Sequence, residues 1–429
     1  MLKIYRIELR RSPLLTTLPV LITVDLLVLF GRSRHWIGVW PEASAAAQVV
    51  TLFLGPVLAA VAAWQAGRAS RAGLPESLLA AARPGWQVEA ARLAATLTLG
   101  FTAYAVGCLV AVSVSLPDAG PGFLWPSYLL VGTATLTIFA ALGHLAGRWW
   151  PSAAFTPVVC ALGGFVVLVG AGQSIDMFVL SGAPDQMLRA QPIVWHLLFA
   201  VALAALAILV PRPGRVLDRL PRWPQPGGRS MSVIATAACT VVALIAIPAV
   251  GNVQVDRPVS AVEPLCESVA KGASQVCVWP EHRKYLPELA AMADRVSRIP
   301  QAWLKMPSGF SEYGLNRTDL GDGGFDVAEG HVRTAAIAMS VEVFRSSFGR
   351  CRAPDPQREA WQAAKDRITL WLEYRAMGED PSVADAGLTM SGVSEAQHDA
   401  AGMVRQPEAA QERWISQQRG ILRKIECTP

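Results

Sequence analysis

The sequence predicts a polytopic, all-α membrane protein followed by a mainly α-helical soluble domain with short strands. Three observations predict it. Hydrophobic residues make up 52% of the 429 and charged residues only 17%, whereas ordinary soluble domains carry about 25% charged residues. Apolar runs of about 20 residues, enough to cross ~30 Å of hydrocarbon at 1.5 Å per residue, recur up to residue 250 and then cease. Charge divides at the same place: residues 1–250 hold 17 Lys+Arg and 9 Asp+Glu, and residues 251–429 hold 21 and 24. A basic membrane part thus precedes a near-neutral soluble part.

Seven runs qualify as spans: 13–31, 48–66, 93–115, 127–147, 153–172, 193–211 and 232–250. The first contains Asp25 and the fifth is rich in glycine. The first is too long for a cleaved signal peptide, and no small-residue cleavage site follows it. Trp36, Trp40, Trp64, Trp125, Trp149, Trp150 and Trp195 stand where runs end, the usual place of an interfacial aromatic belt. The surplus of Arg over Lys, with much Ala, Gly and Pro, reads as high-GC bacterial coding bias and carries no mechanism.

Orientation follows from Lys and Arg in short loops. With the N-terminus in the cytoplasm, fourteen basic residues from Lys3 to Arg229 lie inside, against Arg32, Arg34 and Arg189 outside. Seven spans then place residues 251–429 outside the plasma membrane. The segment PRPGRVLDRLPRWPQPGGRS (211–230) punctuates the chain as a Pro-, Gly- and Arg-rich linker. The expected organisation is a six-span core (1–211), a cytoplasmic linker (212–230), a tethering helix (231–250) and an extracytoplasmic domain (251–429).

Cysteine usage agrees. Cys108, Cys160 and Cys239 fall within spans, where a thiol packs as a small apolar group. Cys266, Cys277, Cys351 and Cys427 all fall in the soluble part, an even number that suggests two disulfides. Three pairings are open; Cys266–Cys277, a short local loop, and Cys351–Cys427, a staple for the C-terminus, are favoured. No CxxC spacing points to a metal.

In the outer domain, residues 253–260 and 275–279 read as strands, and 283–299, 328–348, 356–377 and 406–425 as helices. The third helix is the clearest: Asp355 caps it, Pro356 suits its first position, and Trp361, Ala364, Ile368 and Trp371 line one face. Residues 306–326 read as a loop. His282, in CVWPEHRKYL, invites pairing with Glu281, but a Pro-Glu-His before a helix is the pattern of a capping turn.

Between the second and third runs stands RAGLPESLLAAARPGW (71–86). Leu74, Leu78 and Leu79 form one apolar edge of a short helix, Pro75 suits its first turn, Pro84 ends it, and Arg68, Arg71 and Arg83 flank it. Such a helix lies on a membrane surface or presses into a partner. The longer run AWQAGRASRAGLPESLLAAARPGWQVEAARLAA resembles the first cytoplasmic loop of ABC-2-type exporter permeases. The family's pattern maps onto Arg68, Arg71, Gly73, Glu76, Leu78, Leu79, Arg83, Pro84 and Trp86. MLKIYRIELRRSP is similar to that family's amphipathic elbow helix, and QSIDMFVLSGAPDQMLRA stands where the family carries short outer re-entrant helices. The likeness covers about residues 1–211. Where the family has an acidic run before Gly-Thr, this chain has Arg-Ala-Ser-Arg-Ala-Gly-Leu. The seventh span and outer domain are additions, similar to those of uncharacterised permease-like proteins of high-GC bacteria.

The resemblance implies a permease subunit without its own ATPase, working as a homodimer or a paired permease. Loop 68–92 would be its coupling element to a separate ABC ATPase subunit, with Arg71, Pro75, Glu76, Leu78, Leu79, Arg83 and Trp86 as docking residues. ATP would be used by that partner; this chain is expected to bind no cofactor, no metal and no nucleic acid, and to contact membrane lipid. The chain has no GxxxxGK[ST], HExxH or GxSxG, so neither a P-loop ATPase, a zincin-type peptidase nor a nucleophile elbow is expected.

Ionisable groups inside a bilayer usually face a partner or a water-filled cavity. Asp25 is therefore expected to face the interior with His196 or Arg32 as partner, or else to snorkel toward Arg32 and Arg34. His144, near the other end of its span, is a poor partner. The competing class is a membrane-anchored sensor or regulator whose outer domain binds a ligand or partner. A sensor needs a cytoplasmic output element, and only short loops and the 211–230 linker face inward. A membrane-embedded enzyme should cluster polar residues within the spans, where mainly Asp25 and two histidines are found.

Overall fold

The computed structural model describes residues 2–31, 34–71, 84–172, 175–211, 228–258, 262–269, 274–315, 324–327, 330–349, 351, 353–378 and 395–425. The chain forms two compact units, Met1–Val255 and Asp256–Pro429.

The first unit is a helical bundle. In chain order it contains α1 (Leu2–Arg10), α2 (Pro13–Gly31), α3 (Trp40–Val49), α4 (Thr51–Arg71), α5 (Gly85–Ser115), α6 (Pro126–Trp149), α7 (Phe155–Ala171), β1 (Gln186–Leu188), α8 (Ala190–Leu209) and α9 (Gly228–Ala249). β2 (Gln254–Asp256) pairs with β1. Among the described residues, six helices are long and apolar enough to cross a membrane: Pro13–Gly31, Trp40–Arg68, Gly85–Ser115, Pro126–Trp149, Ala190–Leu209 and Met231–Ala249. The expected fifth span is the shorter α7, 17 residues of apolar helix, about 25 Å at 1.5 Å per residue.

Two expected spans extend well past their apolar runs. The second begins at Trp40 because α3 leads into α4 at Val50, which keeps right-handed helical angles (φ −54°, ψ −29°). The third begins at Gly85 and so includes Glu89 and Arg92, both buried. The expected aromatic belt holds only in part. Trp149 and Trp150 are exposed, but Trp36 and Trp40 are core residues, and Trp40 Nε1 donates to Gly120 O at 2.9 Å.

α4 is the centre of the bundle, and its closest neighbour is α6. Gly143 and Gly147 of α6, one turn apart, lie directly against the backbone of Ala59 and Ala63. A Cβ at either glycine would fall 2.0 Å from the facing carbonyl oxygen. This small-xxx-small seam lets two membrane-type helices approach without intervening side chains. By contrast, α7 turns Phe155, Leu162 and Val166 outward, each more than 60% exposed.

The second unit is built on the sheet β3 (Leu265–Val269), β4 (Ser274–Val278) and β5 (Gly309–Ser311), in the order β3-β4-β5. β3 and β4 are antiparallel, with Cys266 opposite Cys277; β4 and β5 are parallel. Around it pack α10 (Leu286–Ser297), α11 (Val332–Phe348), α12 (Asp355–Met377), α13 (Glu395–Val404) and α14 (Glu408–Arg423). β3, β5 and α13 were not expected from the sequence, and β5 lies in the expected 306–326 loop. On α12, Ala364, Ile368 and Trp371 are buried as their spacing predicts, and Trp361 meets Phe344 edge-on. Asp355 does not cap this helix. Pro354 holds the N-cap place, and Asp355 is the first helical residue, where a carboxylate favours the helix dipole.

The Cys266–Cys277 disulfide is present. Cys351 is disulfide-bonded too, and Cys427 lies outside the described residues. Cys108, Cys160 and Cys239 are free thiols.

Candidate functional site

Polar side chains buried in an apolar bundle must be satisfied or neutralised, so they locate the places where this bundle does more than pack. Three such places stand out.

The first is an ionic network at the α1 end of the bundle. Glu8, the only buried residue of α1, accepts from Arg68 Nη2 of α4 at 3.0 Å and from Arg92 Nε of α5 at 3.4 Å. Arg92 Nη1 also donates to Glu89 Oε1 at 3.2 Å, and Glu89 Oε2 lies 3.1 Å from His144 Nε2 of α6. Beside it, Gln65 Nε2 donates to Ser12 Oγ at 2.7 Å, and Thr96 Oγ1 donates to Gln65 Oε1 at 3.2 Å. Arg148, one turn beyond His144, donates to the carbonyls of Ala207 and Ile208, the last turn of α8. That turn carries orphan carbonyls and the negative end of the helix dipole. α1, α4, α5 and α6 are thereby locked together at one end by charge rather than by apolar contact alone, and Arg148 ties α8 to them.

This network frames the 71–86 stretch. Arg71 donates to Trp64 O at 2.7 Å and to Ser152 O at 3.1 Å, and its guanidinium lies 5.3 Å from the Trp64 ring centroid. Trp86 opens α5 and is 38% exposed. Pro75, Glu76, Leu78, Leu79 and Arg83 lie outside the described residues.

The second place surrounds Asp25, on the face of α2 that meets α5. The residue is 2% exposed, and neither carboxyl oxygen has a hydrogen-bond partner among the described residues. Gly107 makes the room: a Cβ there would stand 2.3 Å from Asp25 Oδ2. Tyr104, one turn before Gly107 on α5, is buried with its hydroxyl unpartnered; that hydroxyl rests against Gly132 of α6, where a Cβ would meet it at 2.4 Å and Thr51 Cγ2 at 3.3 Å. Thr51 Oγ1 is also buried and unpartnered.

The third place is at the other end of the bundle and involves His196. Its Nδ1 lies 2.9 Å from Pro192 O and its Nε2 3.0 Å from Ile175 O. Both ring nitrogens face carbonyls, so His196 is not the partner expected for Asp25; it ties α8 to the segment after α7. Arg32, the other expected partner, lies outside the described residues. The same segment is keyed into the bundle by Gln48, which donates to Met177 O at 3.3 Å and accepts from Val179 N at 2.9 Å; Thr135 Oγ1 donates to Met177 O at 2.7 Å. Asp176 holds a left-handed turn (φ 52°), and its Oδ2 accepts from Val253 N at 3.0 Å. Glu42 accepts from Ser181 Oγ at 3.0 Å and lies 3.4 Å from His35 Nε2.

In the second unit, His282 pairs with a carboxylate, but not with Glu281. Its Nδ1 lies 2.6 Å from Glu312 Oε1, while Glu312 Oε2 accepts from Trp279 N at 2.9 Å. Glu281 pairs with Arg257 at 2.9 Å, and Arg257 stacks over the Trp279 ring. The His282–Glu312 pair fastens the turn between β4 and α10 to the segment after β5, and the Glu281–Arg257 pair fastens the same turn to the segment after β2, a structural use. A groove of about 1080 Å³ between α11, α12 and α13 is lined by Ile337, Val341 and Leu370 with Glu359, Asp366 and Glu373. Among the described residues, no group of three or more His, Cys, Asp or Glu is placed to hold a metal ion.

Of these groups, sequence reasoning named Asp25, His196, Arg71 and Trp86 as site residues but overlooked Glu8, Glu89 and Gln65. The available signal was Glu89-x-x-Arg92, an (i, i+3) pair at the mouth of an apolar run.

A family model described as a domain of unknown function (DUF7224) matches residues 276–425, which lie within the second unit. No curated protein and no solved structure matches the chain.

Proposed function

We propose that this chain is the membrane-spanning permease subunit of an ATP-driven ABC exporter, coupled to a separate ATPase through loop 68–92. The observation that carries the reading is how the roots of that loop are fastened. On the α4 side Arg68 is held by Glu8, and Arg71 by two backbone carbonyls. On the α5 side Glu89 and Arg92 join the same buried network. A push delivered to residues 72–83 would therefore reach α1, α4, α5 and α6 together, as a coupling element must. The buried joint resists deformation, because separating its charges in an apolar bundle is costly.

In this reading the N-terminus and the ionic network are cytoplasmic and residues 251–429 are extracytoplasmic, as the distribution of Lys and Arg directs. The subunit pairs with a second copy or a related permease, and the second unit receives or gates the cargo. Affinity purification of the tagged full chain from its own membranes, with mass spectrometry of co-eluting proteins, tests it. A P-loop ATPase that co-elutes, and is lost with Glu76→Ala and Leu78→Asp, is the expected result. Intact protein with no such ATPase in either sample sinks the reading.

The alternative is a membrane-anchored sensor or regulator. Ligand binding by residues 256–429 with no ATPase partner would be its signature.

A further inference from the structure

We propose that Asp25 is a proton-binding site of the helical bundle, its ligand a single proton taken from water and held on the carboxyl group between α2 and α5. The inference does not rest on the transport reading.

The charge balance of the site carries it. Asp25 is the sole ionisable residue of α2. α5 presents Tyr104 and Cys108 on the face where Gly107 admits the carboxyl group; its charged residues, Glu89 and Arg92, lie in the opposite-end network. Arg92 is fifteen positions from Gly107, about 22 Å along the helix. α4 contributes Thr51 near Tyr104; its basic residues, Arg68 and Arg71, begin seventeen positions away, about 25 Å along the helix. α3 carries only Glu42, already engaged by Ser181 and beside His35. No described cation reaches Asp25, so an ionised carboxylate would stand uncompensated in an apolar bundle, the costly state for a buried charge.

A metal ion fits the site poorly. It needs a shell of oxygens, and the surrounding carbonyls belong to helices, where they accept the i→i+4 bonds. Among the described residues, the unpartnered side-chain oxygens placed here are those of Asp25 and Tyr104, with Thr51 beyond Tyr104. A proton needs one lone pair. It can leave only when water reaches the carboxyl group to take it, which requires α2 to part from α5 at Gly107. Proton occupancy and closure of that helix pair are thus one equilibrium.

Dicyclohexylcarbodiimide, a membrane-soluble reagent that adds to protonated carboxyl groups, tests this on the full chain in its own membranes at neutral pH. The peptide containing Asp25 should gain the mass of one adduct, and Asp25→Asn should abolish it. The ion-paired Glu8 and Glu89 should stay unmodified, and exchanging choline chloride for sodium or potassium chloride should change nothing. Absence of the adduct at Asp25, or its suppression by sodium or potassium, overturns the proposal. Independently, Asp25→Asn, a neutral isostere of the protonated acid, should keep the apparent melting temperature of the purified protein. A clear drop, or failure to fold, would mean that a negative charge is needed there and would equally overturn it.

Discussion

Replacing Gly143 or Gly147 by alanine tests how α4 and α6 hold together. An added Cβ would stand 2.0 Å from Ala59 O or Ala63 O, and ordinary contact begins at 3.4 Å, a shortfall of about 1.4 Å. The facing atoms are backbone carbonyls inside a helix, bound in the i→i+4 ladder, so they cannot swing aside. The helices must part, and the surrounding core (Ala59, Ile138, Phe139, Ala141) loses contacts with them. Overpacking of this kind costs about 1–3 kcal/mol per site. In a unit of this size that lowers an apparent melting temperature by about 2–10 °C. One separation relieves both clashes, so the double variant should cost less than the sum of the singles. Thermal unfolding in detergent, alongside abundance in the membrane, is the assay. Gly163→Ala and Gly170→Ala on α7 are the matched controls. Nothing lies within 4 Å of a Cβ at either, so each should be neutral or gain up to about 1 kcal/mol of helix propensity. Equal melting temperatures for Gly147→Ala and Gly163→Ala would refute the seam.

Other outcomes follow from the same geometry. Glu89→Gln removes a charge shared with Arg92 and His144; losing one partner of a buried pair costs about 3–5 kcal/mol, read as lower yield and melting temperature, and an unchanged protein would mean that Glu8 alone neutralises Arg92. Replacing Cys266 and Cys277 together by serine releases a loop with a sequence separation of 11, worth roughly 2–3 kcal/mol. The β3–β4 region of the full chain should then be cut earlier in limited proteolysis, at unchanged sensitivity of the bundle. Glu312→Gln weakens the acceptor shared by His282 and Trp279 N and should destabilise the second unit by about 1–3 kcal/mol, measured by hydrogen exchange of the 279–285 turn. Gly378→Ala forces a side chain onto a left-handed C-cap (φ +69°) against Arg295; a cost of about 1 kcal/mol or more should appear as fraying of α12, and unchanged exchange there would count against that cap.

Apolar patterning made the membrane unit legible, and charge made it partly misleading. The 13–31 run matches α2 because nothing in it except Asp25 interrupts the apolar pattern. Hydropathy starts the third run at 93, since Arg92 has the character of a loop residue; it is buried because Glu8, eighty-four positions earlier, reaches it. A pairing between distant helices leaves no local trace. The shorter α7 was counted as a span on hydrophobicity alone. In the second unit the (i, i+3, i+4, i+7) face of α12 was visible, whereas β3 and β5 were not. Their short runs have meaning only beside β4, and β5 joins it in parallel over a crossover. The Asp25 site was half legible: the acid stands out in an apolar run, but its surroundings depend on Gly107 and Gly132, whose importance lies in the atoms they leave out.

The buried network also bears on how the protein is made. Glu8 leaves the ribosome long before Arg68 and Arg92, its eventual partners, and α5 reaches the insertion machinery carrying both Glu89 and Arg92. A lone charge in an apolar helix is costly to take into a bilayer. Because Glu89 and Arg92 pair with each other 3.2 Å apart on one helix, α5 is a neutral rod by itself, and Arg92 keeps that partner while gaining Glu8 as a second. Moving Glu89 to another helix would keep the finished network's charge while taking from α5 the partner that neutralises Arg92 within its own helix.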